Sequence, residues 1–158
     1  TGDPEAMSEF VLREAGQREA GQPDMPYVLS SWISSYRDHT SPRLIRAIPS
    51  PEYHPRWNRI AQDLIARSRV LLACAPEDES VILGWICFEE SRPRRLHYVH
   101  VKRAFQRLGL ARALMAAADI DLRDDETPLL YSHKTTQSEA CRPPGSWTFA
   151  PWMLLGVP

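Results

Sequence analysis

Apolar positions change their spacing several times along the chain, and each change marks an element. Leu29, Trp32, Ile33 and Tyr36 fall at i, i+3, i+4 and i+7, the stripe of an amphipathic helix that Pro26 opens in its first turn. The proline-punctuated segment 41–55 reads as a connection. Trp57, Ile60, Ala61, Leu64 and Ile65 then predict a second helix over 56–68. Two continuous apolar runs, Val70–Ala75 and Val81–Phe88, flank the acidic turn 76–80 and predict an antiparallel hairpin. A third strand, Leu96–Val101, follows the arginine-rich turn 92–95, and an Ala/Leu-rich helix runs from about Gln106 to Ala118. Residues 127–135 read as another strand. In 136–141, Thr136 with Glu139 three residues later makes a capping-box pattern for a short helix. The breaker 142–146 ends it, and 147–155 reads as a last, proline-interrupted strand. Phe10–Arg13 is a candidate edge strand in an otherwise polar stretch where EAGQ occurs twice. The order predicts an α/β (α+β) fold, a mixed sheet with helices on its faces.

Composition narrows the class. The 158 residues are 43% hydrophobic and 25% charged, as in one ordinary globular domain, and we expect that domain to occupy 7–158. Residues 1–6, ahead of Met7, read as the remnant of an expression tag and are set aside. A net charge of −1 gives no overall attraction to nucleic acid or to anionic membranes. Cys74, Cys87 and Cys141 are odd in number and form no CxxC pair, which argues against a disulfide framework or a zinc site. With no signal peptide and no apolar run of about 20 residues, the expected location is the cytoplasm, without a membrane partner.

The informative stretch lies where the third strand passes into the Ala-rich helix. In Gln106-Arg107-Leu108-Gly109-Leu110-Ala111 a glycine falls inside the expected first helical turn, where it costs roughly 1 kcal/mol relative to Ala. Either a neighbouring element packs closely against Gly109, or a ligand does. A helix N-terminus presents unpaired amides and positive potential, which suits a phosphate, and Arg103, Arg107 and Arg112 flank it. A Walker-type loop is excluded because no Gly-Lys-Ser/Thr occurs, and the three-glycine dinucleotide fingerprint is missing as well.

The stretch from His100 to Met115, with Gln106-x-x-Gly109-x-Ala111 placed after a strand that ends in Val101, resembles motif A of the GNAT superfamily of N-acetyltransferases. The order of upstream elements is similar too, and the resemblance covers roughly Tyr27 to Thr136. It implies a mostly antiparallel sheet with a splayed strand pair that holds an acyl-CoA, most simply acetyl-CoA. Backbone of Val99, His100 and Val101 would bind the pantetheine arm, and Gln106, Arg107, Leu108, Gly109, Leu110, Ala111 and Arg112 would surround the diphosphate.

The resemblance also implies a proton relay. His97, four residues before Val101, is the candidate base, expected on the same strand face as Val99 and Val101. His100 faces the other way. Glu89 and Glu90 are alternative bases. The tyrosine that many family members carry on the helix after the fifth strand is missing from 136–141, so Tyr131 is the nearest phenol for the acid, with Ser132, His133 and Cys141 as further candidates. The acceptor would be a small molecule, a protein amine or a nucleobase. The aromatic residues Trp32, Tyr36, Tyr53, Trp147, Phe149 and Trp152 are candidates to wall its pocket. Two alternatives stay open: a nucleobase-modifying protein related to the phage Mom type, and a non-catalytic binding module on the same scaffold. The chain is expected to be a monomer or a homodimer.

Overall fold

The computed structural model describes residues 10–16, 24–40 and 43–155. The tag-like residues 1–6 and the second EAGQ copy lie outside the described residues. Strands β1 (Val11–Glu14), β2 (Arg69–Ala75), β3 (Asp78–Glu89), β4 (Arg94–Val101), β5 (Leu129–Tyr131) and β6 (Trp147–Phe149) form one six-stranded sheet in sequential order. Pairing is antiparallel from β1 to β4 and parallel from β4 through β6. Helices α1 (Met25–His39), α2 (Arg43–Ala47) and α3 (Ser50–Ala66) precede β2. Helix α4 (Leu110–Ala117) follows β4, and α5 (Thr136–Cys141) follows β5. None of the described helices is long and apolar enough to cross a membrane.

Two cores lie on opposite faces of the sheet. On one, α1 and α3 bury Trp32, Tyr36, Tyr53 and Trp57 against Trp85 and Tyr98. Trp32 stacks on Tyr98 at 5.5 Å, and Trp57 stacks on both Tyr36 and Tyr53. Aromatic side chains bury about 150–250 Å² each, so this layer anchors the domain. On the other face Leu110, Leu114 and Met115 of α4 pack on Ile86, Phe88 and Leu96. Trp32, Tyr36 and Tyr53 are therefore core and do not wall an acceptor pocket. At the sheet edge, Arg13 of β1 grips the buried Asp24 with two bonds of 2.7 and 2.8 Å, which ties β1 to the start of α1.

Several boundaries differ from the sequence expectation, each for a local reason. The segment 41–55 holds α2 and the first turns of α3. Pro51 sits at the tolerated start of α3, and burial of Tyr53, whose hydroxyl donates to Ile33 O at 2.6 Å, carries the helix through Pro55. In α1, Val28 is buried in the position expected for Leu29. The capping box of α5 is shifted by one residue. Thr135 is the N-cap and exchanges bonds with Ser138, which leaves Glu139 free to take other partners. The final stretch is a strand only to Phe149; Pro151 turns the chain into a short 3-10 helix, Pro151–Leu155.

Candidate active site

The site begins with a slip in the register of β3 and β4. Cys87 pairs with Tyr98 but Phe88 pairs with Leu96, so His97 is an extra residue, a β-bulge. Before the bulge, Leu96 O faces β5 and accepts from Ser132 N at 3.2 Å; after it, Lys102 N faces β3 and donates to Leu83 O at 2.9 Å. Counting back from Lys102, the backbone groups of Val101 and Val99 face away from β3. No strand pairs with them there, because the β4–β5 ladder stops at Leu96 and Tyr131, and only Val101 O has a partner, the side chain of Gln106. The two strands part, leaving an open edge from His97 to Val101. Gly84 lets β3 hold this end of β4 closely: a Cβ there would meet His100 O at 2.7 Å.

Between the parted strands lies a cleft of about 770 Å³, a volume suited to a cofactor-sized ligand. Val99, His100 and Val101 line it, as do Gln106, Arg107, Gly109, Leu110, Ala111 and Arg112, whereas Leu108 does not. The sequence places Gly109 inside the helix, but the structure makes it the residue just before it. Helix α4 starts at Leu110, after a 3-10 turn at Arg103–Phe105. Gly109 has φ +83°, a left-handed conformation that is nearly free for glycine and costs about 1–2 kcal/mol for other residues. Nothing lies within 4 Å of a Cβ built there, so close packing against the hairpin is not its purpose. The first helical amide to find an acceptor is that of Ala113, bonded to Gly109 O at 2.9 Å. The amides of Leu110, Ala111 and Arg112 precede that bond and have no helical partner. Among the described residues, no carboxylate pairs with Arg103, Arg107 or Arg112. Gln106 is not a free donor, since its Nε2 bonds Val101 O at 3.1 Å and closes the turn.

At the point where the strands part, a chain of polar side chains is buried, and its geometry fixes every proton. The indole N–H groups of Trp32 and Trp57 both point at His133 Nε2, at 3.3 and 3.4 Å, so that nitrogen is an acceptor. His133 therefore carries its proton on Nδ1 and donates to Ser132 Oγ at 2.9 Å. The serine hydroxyl donates in turn to His97 Nδ1 at 2.8 Å, and His97 Nε2–H donates to Glu89 Oε2 at 2.7 Å. Arg67, at the end of α3, backs Glu89 at 3.4 Å. The bulge thus turns His97 away from Val99 and Val101, which pack on the α4 core, towards the opposite face. Glu89 is a full member of this chain. His97 and His133 line the cleft with Ser132 enclosed between them.

Burial lowers the pKa of His97, although Glu89 works against the shift, and burial holds His133 well below the ordinary imidazole value. Both histidines are neutral in the folded chain and take up protons near pH 6.5 once it unfolds. Stability is therefore expected to be full above pH 6.5 and to fall as pH drops below it, by up to about 1.4 kcal/mol per pH unit for each histidine. Urea midpoints measured between pH 7.5 and 5.5 check this, with a shallower decline for His133→Gln. A midpoint that does not move would contradict neutral burial.

The remaining sequence candidates are placed as follows. Tyr131 lines the cleft, but its hydroxyl donates to Glu139 Oε2 at 3.0 Å, and burial followed by that carboxylate pushes its pKa up to about 12. Cys141 stands at the cleft wall with part of its surface exposed, and partial desolvation raises the pKa of its thiol. Glu90 is exposed and paired with Arg69. Of the aromatic candidates, Trp147 alone lines the cleft. Ser35 and His39 of α1, and Thr135, Gln137 and Ser138 around α5, line it without having been singled out by sequence. No cluster suited to a metal ion occurs among the described residues.

Comparison with known proteins shows the family and the fold. The family model described as the acetyltransferase (GNAT) family matches residues 33–141, more than half of the chain. No curated protein matches the sequence significantly. Among solved structures, a candidate acetyl transferase from Pyrococcus furiosus aligns over 70% of this chain and 72% of its own, with 16% identity and a TM-score of 0.52. The PaiA N-acetyltransferase from Thermoplasma acidophilum, solved with coenzyme A, aligns over 69% and 70% with 17% identity and a TM-score of 0.39. A transcriptional regulator from Bacillus halodurans aligns over 83% and 85% with 13% identity and a TM-score of 0.46. The first of these shows the shared fold.

Proposed function

The chain belongs to the acetyltransferase (GNAT) family, an acyltransferase whose donor is acetyl-CoA, and from that premise we propose that it transfers the acetyl group to a primary amine. The observation that carries this reading is the pairing of an open β4 edge with unpaired amides at the start of α4, both on one cleft. The residues fit the donor. The free backbone groups of Val99 and the N–H of Val101 can pair with the pantetheine amides as a neighbouring strand would. The amides of Leu110 to Arg112 receive the diphosphate, with Arg107 and Arg112 adding charge. Gly109 leaves that approach open.

Acetyl-CoA supplies the activated acyl group, and the chain supplies positions and a proton path. An amine attacks only when neutral and sheds a proton as it becomes an amide. That proton passes by way of a water at the cleft wall to the enclosed Ser132 Oγ as the serine gives its own hydrogen to His97 Nδ1 and Glu89 stabilises the imidazolium at Nε2; when the C–S bond breaks, the departing coenzyme A thiolate takes a proton back along the same path. The order is that of a serine–histidine–carboxylate relay. His133, held by two indoles, fixes the serine hydroxyl in the orientation the relay requires. Tyr131 is not the acid in this reading, because its hydroxyl is committed to Glu139.

The test is thiol release from acetyl-CoA in the presence of a panel of primary amines, with mass spectrometry of the amine. Release matched mole for mole by acetylated amine is the expected result. Thiol release without an acetylated amine would contradict the reading, as would donor binding without turnover across the panel.

A further inference from the structure

One end of the cleft is unusual in its charge. Ser35 and His39 of α1 and Tyr98 and His100 of β4 line it on the face opposite α4, and no Asp or Glu occurs anywhere among the described lining residues. The His100 ring is held between Trp85 at 6.0 Å and Tyr27 at 6.3 Å, with no hydrogen-bond partner among the described residues. Lys102 lies beside it, with its ammonium 5.0 Å above the Tyr27 ring and no carboxylate partner among the described residues. Burial, followed by the charges of Lys102 and His39, lowers the pKa of His100 to about 4. His100 is thus neutral at working pH and can donate to an anion. The end of α1 brings partial negative charge, but Arg37 occupies its last turn and offsets it. Asp38 is exposed and does not line the cleft, although its charge reaches Tyr98.

A cationic polyamine would leave water here with no counter-charge, which is costly. An anionic group would meet two potential donors on the lining, His39 and His100, with the charge of Lys102 beside His100 and no carboxylate on the lining itself. We propose that the acceptor is a small amine that also carries an anionic group, and that His39 and His100 receive that group with Lys102 adding positive charge from beside His100. The proposal rests on the acetyl-transfer reading for the place of the acceptor, and it excludes polyamines and lysine-rich peptides as preferred acceptors.

The test uses three product-like probes that differ in charge: N-acetylglycine, N-acetylglycinamide and N-acetylputrescine. Each is titrated into the protein saturated with coenzyme A, and the ring resonances of His39 and His100 are followed by NMR. N-acetylglycine is expected to shift both rings and to bind at least about tenfold tighter than the amide, as one charge-assisted hydrogen bond provides. N-acetylputrescine is expected to bind more weakly than the amide. Lys102→Met is expected to remove most of the preference for the anion. Equal affinity for anion and amide, a preference for the cation, or unmoved rings under N-acetylglycine overturns the proposal. Failure of coenzyme A to bind in a preceding calorimetric titration would instead overturn the acetyl-transfer reading. The charge preference is then read from the same probes on the free protein.

Discussion

Gly109→Glu is expected to abolish binding of acetyl-CoA while leaving the fold intact. A side chain at Gly109 meets no protein atom, so the substitution costs only backbone strain, about 1–2 kcal/mol for a non-glycine residue at φ +83°. The binding penalty is much larger. The carboxylate enters the space reserved for the diphosphate, and two like charges about 4 Å apart repel by roughly 4 kcal/mol at intermediate dielectric. Discounted for solvent, a loss of at least about 100-fold in affinity is expected by calorimetry. Gly109→Ala separates the two terms, because it carries the strain without the charge. It is expected to lower the urea midpoint as Gly109→Glu does while keeping binding within a few-fold. Equal losses of binding in both variants would assign the effect to the backbone and not to the ligand.

His97→Gln is expected to lower kcat by about 100-fold, the lower end of what a positioned base contributes, with KM for acetyl-CoA changed only a few-fold. Glutamine is the informative substitution because its amide can accept from Ser132 and donate to Glu89 without taking up a proton. His97→Ala is expected to lose the same activity and also stability, since it strands two buried partners at about 1–3 kcal/mol. The pH profile adds a readout that a structural role would not move. With its pKa lowered by burial, His97 stays in its base form below the ordinary imidazole value, so the acid limb of kcat lies below pH 6.5. Glu89 opposes that shift. Glu89→Gln is therefore expected to move the limb to still lower pH and to reduce the plateau. Full activity of His97→Gln across the pH range would remove the relay.

Much of the fold was legible because it rests on periodicity. The stripe around Trp32 and Tyr36, the twin apolar runs of β2 and β3, and the strand-to-helix passage at Val101–Leu110 each carry a period that one element satisfies. The cleft proposed for the donor was legible for a different reason: Gly109 stands where few residues but glycine fit, although its requirement comes from a positive φ before the helix and not from the helix itself. The relay was only partly legible. His97 and Ser132 were recognisable as residues able to move protons, but the bulge that turns His97 towards Glu89 is a one-residue register slip, and no sequence pattern in Phe88–Tyr98 announces it. The same holds for His133, whose tautomer is set by two tryptophans far away in sequence. Helix α3 begins earlier than its prolines suggest because Tyr53 is anchored to Ile33, a tertiary bond that outweighs local propensity. His39 escaped notice because only the fold brings the end of α1 to the same cleft as His100.

The claim on which the rest depends is that the parted strands exist to admit the donor, and a crystal structure with acetyl-CoA tests it most directly. The expected result places the pantetheine arm along Val99 and Val101 between β4 and β5, with the diphosphate on the amides of Leu110 to Arg112. A donor bound elsewhere on the domain, or a diphosphate resting away from Gly109, would contradict it.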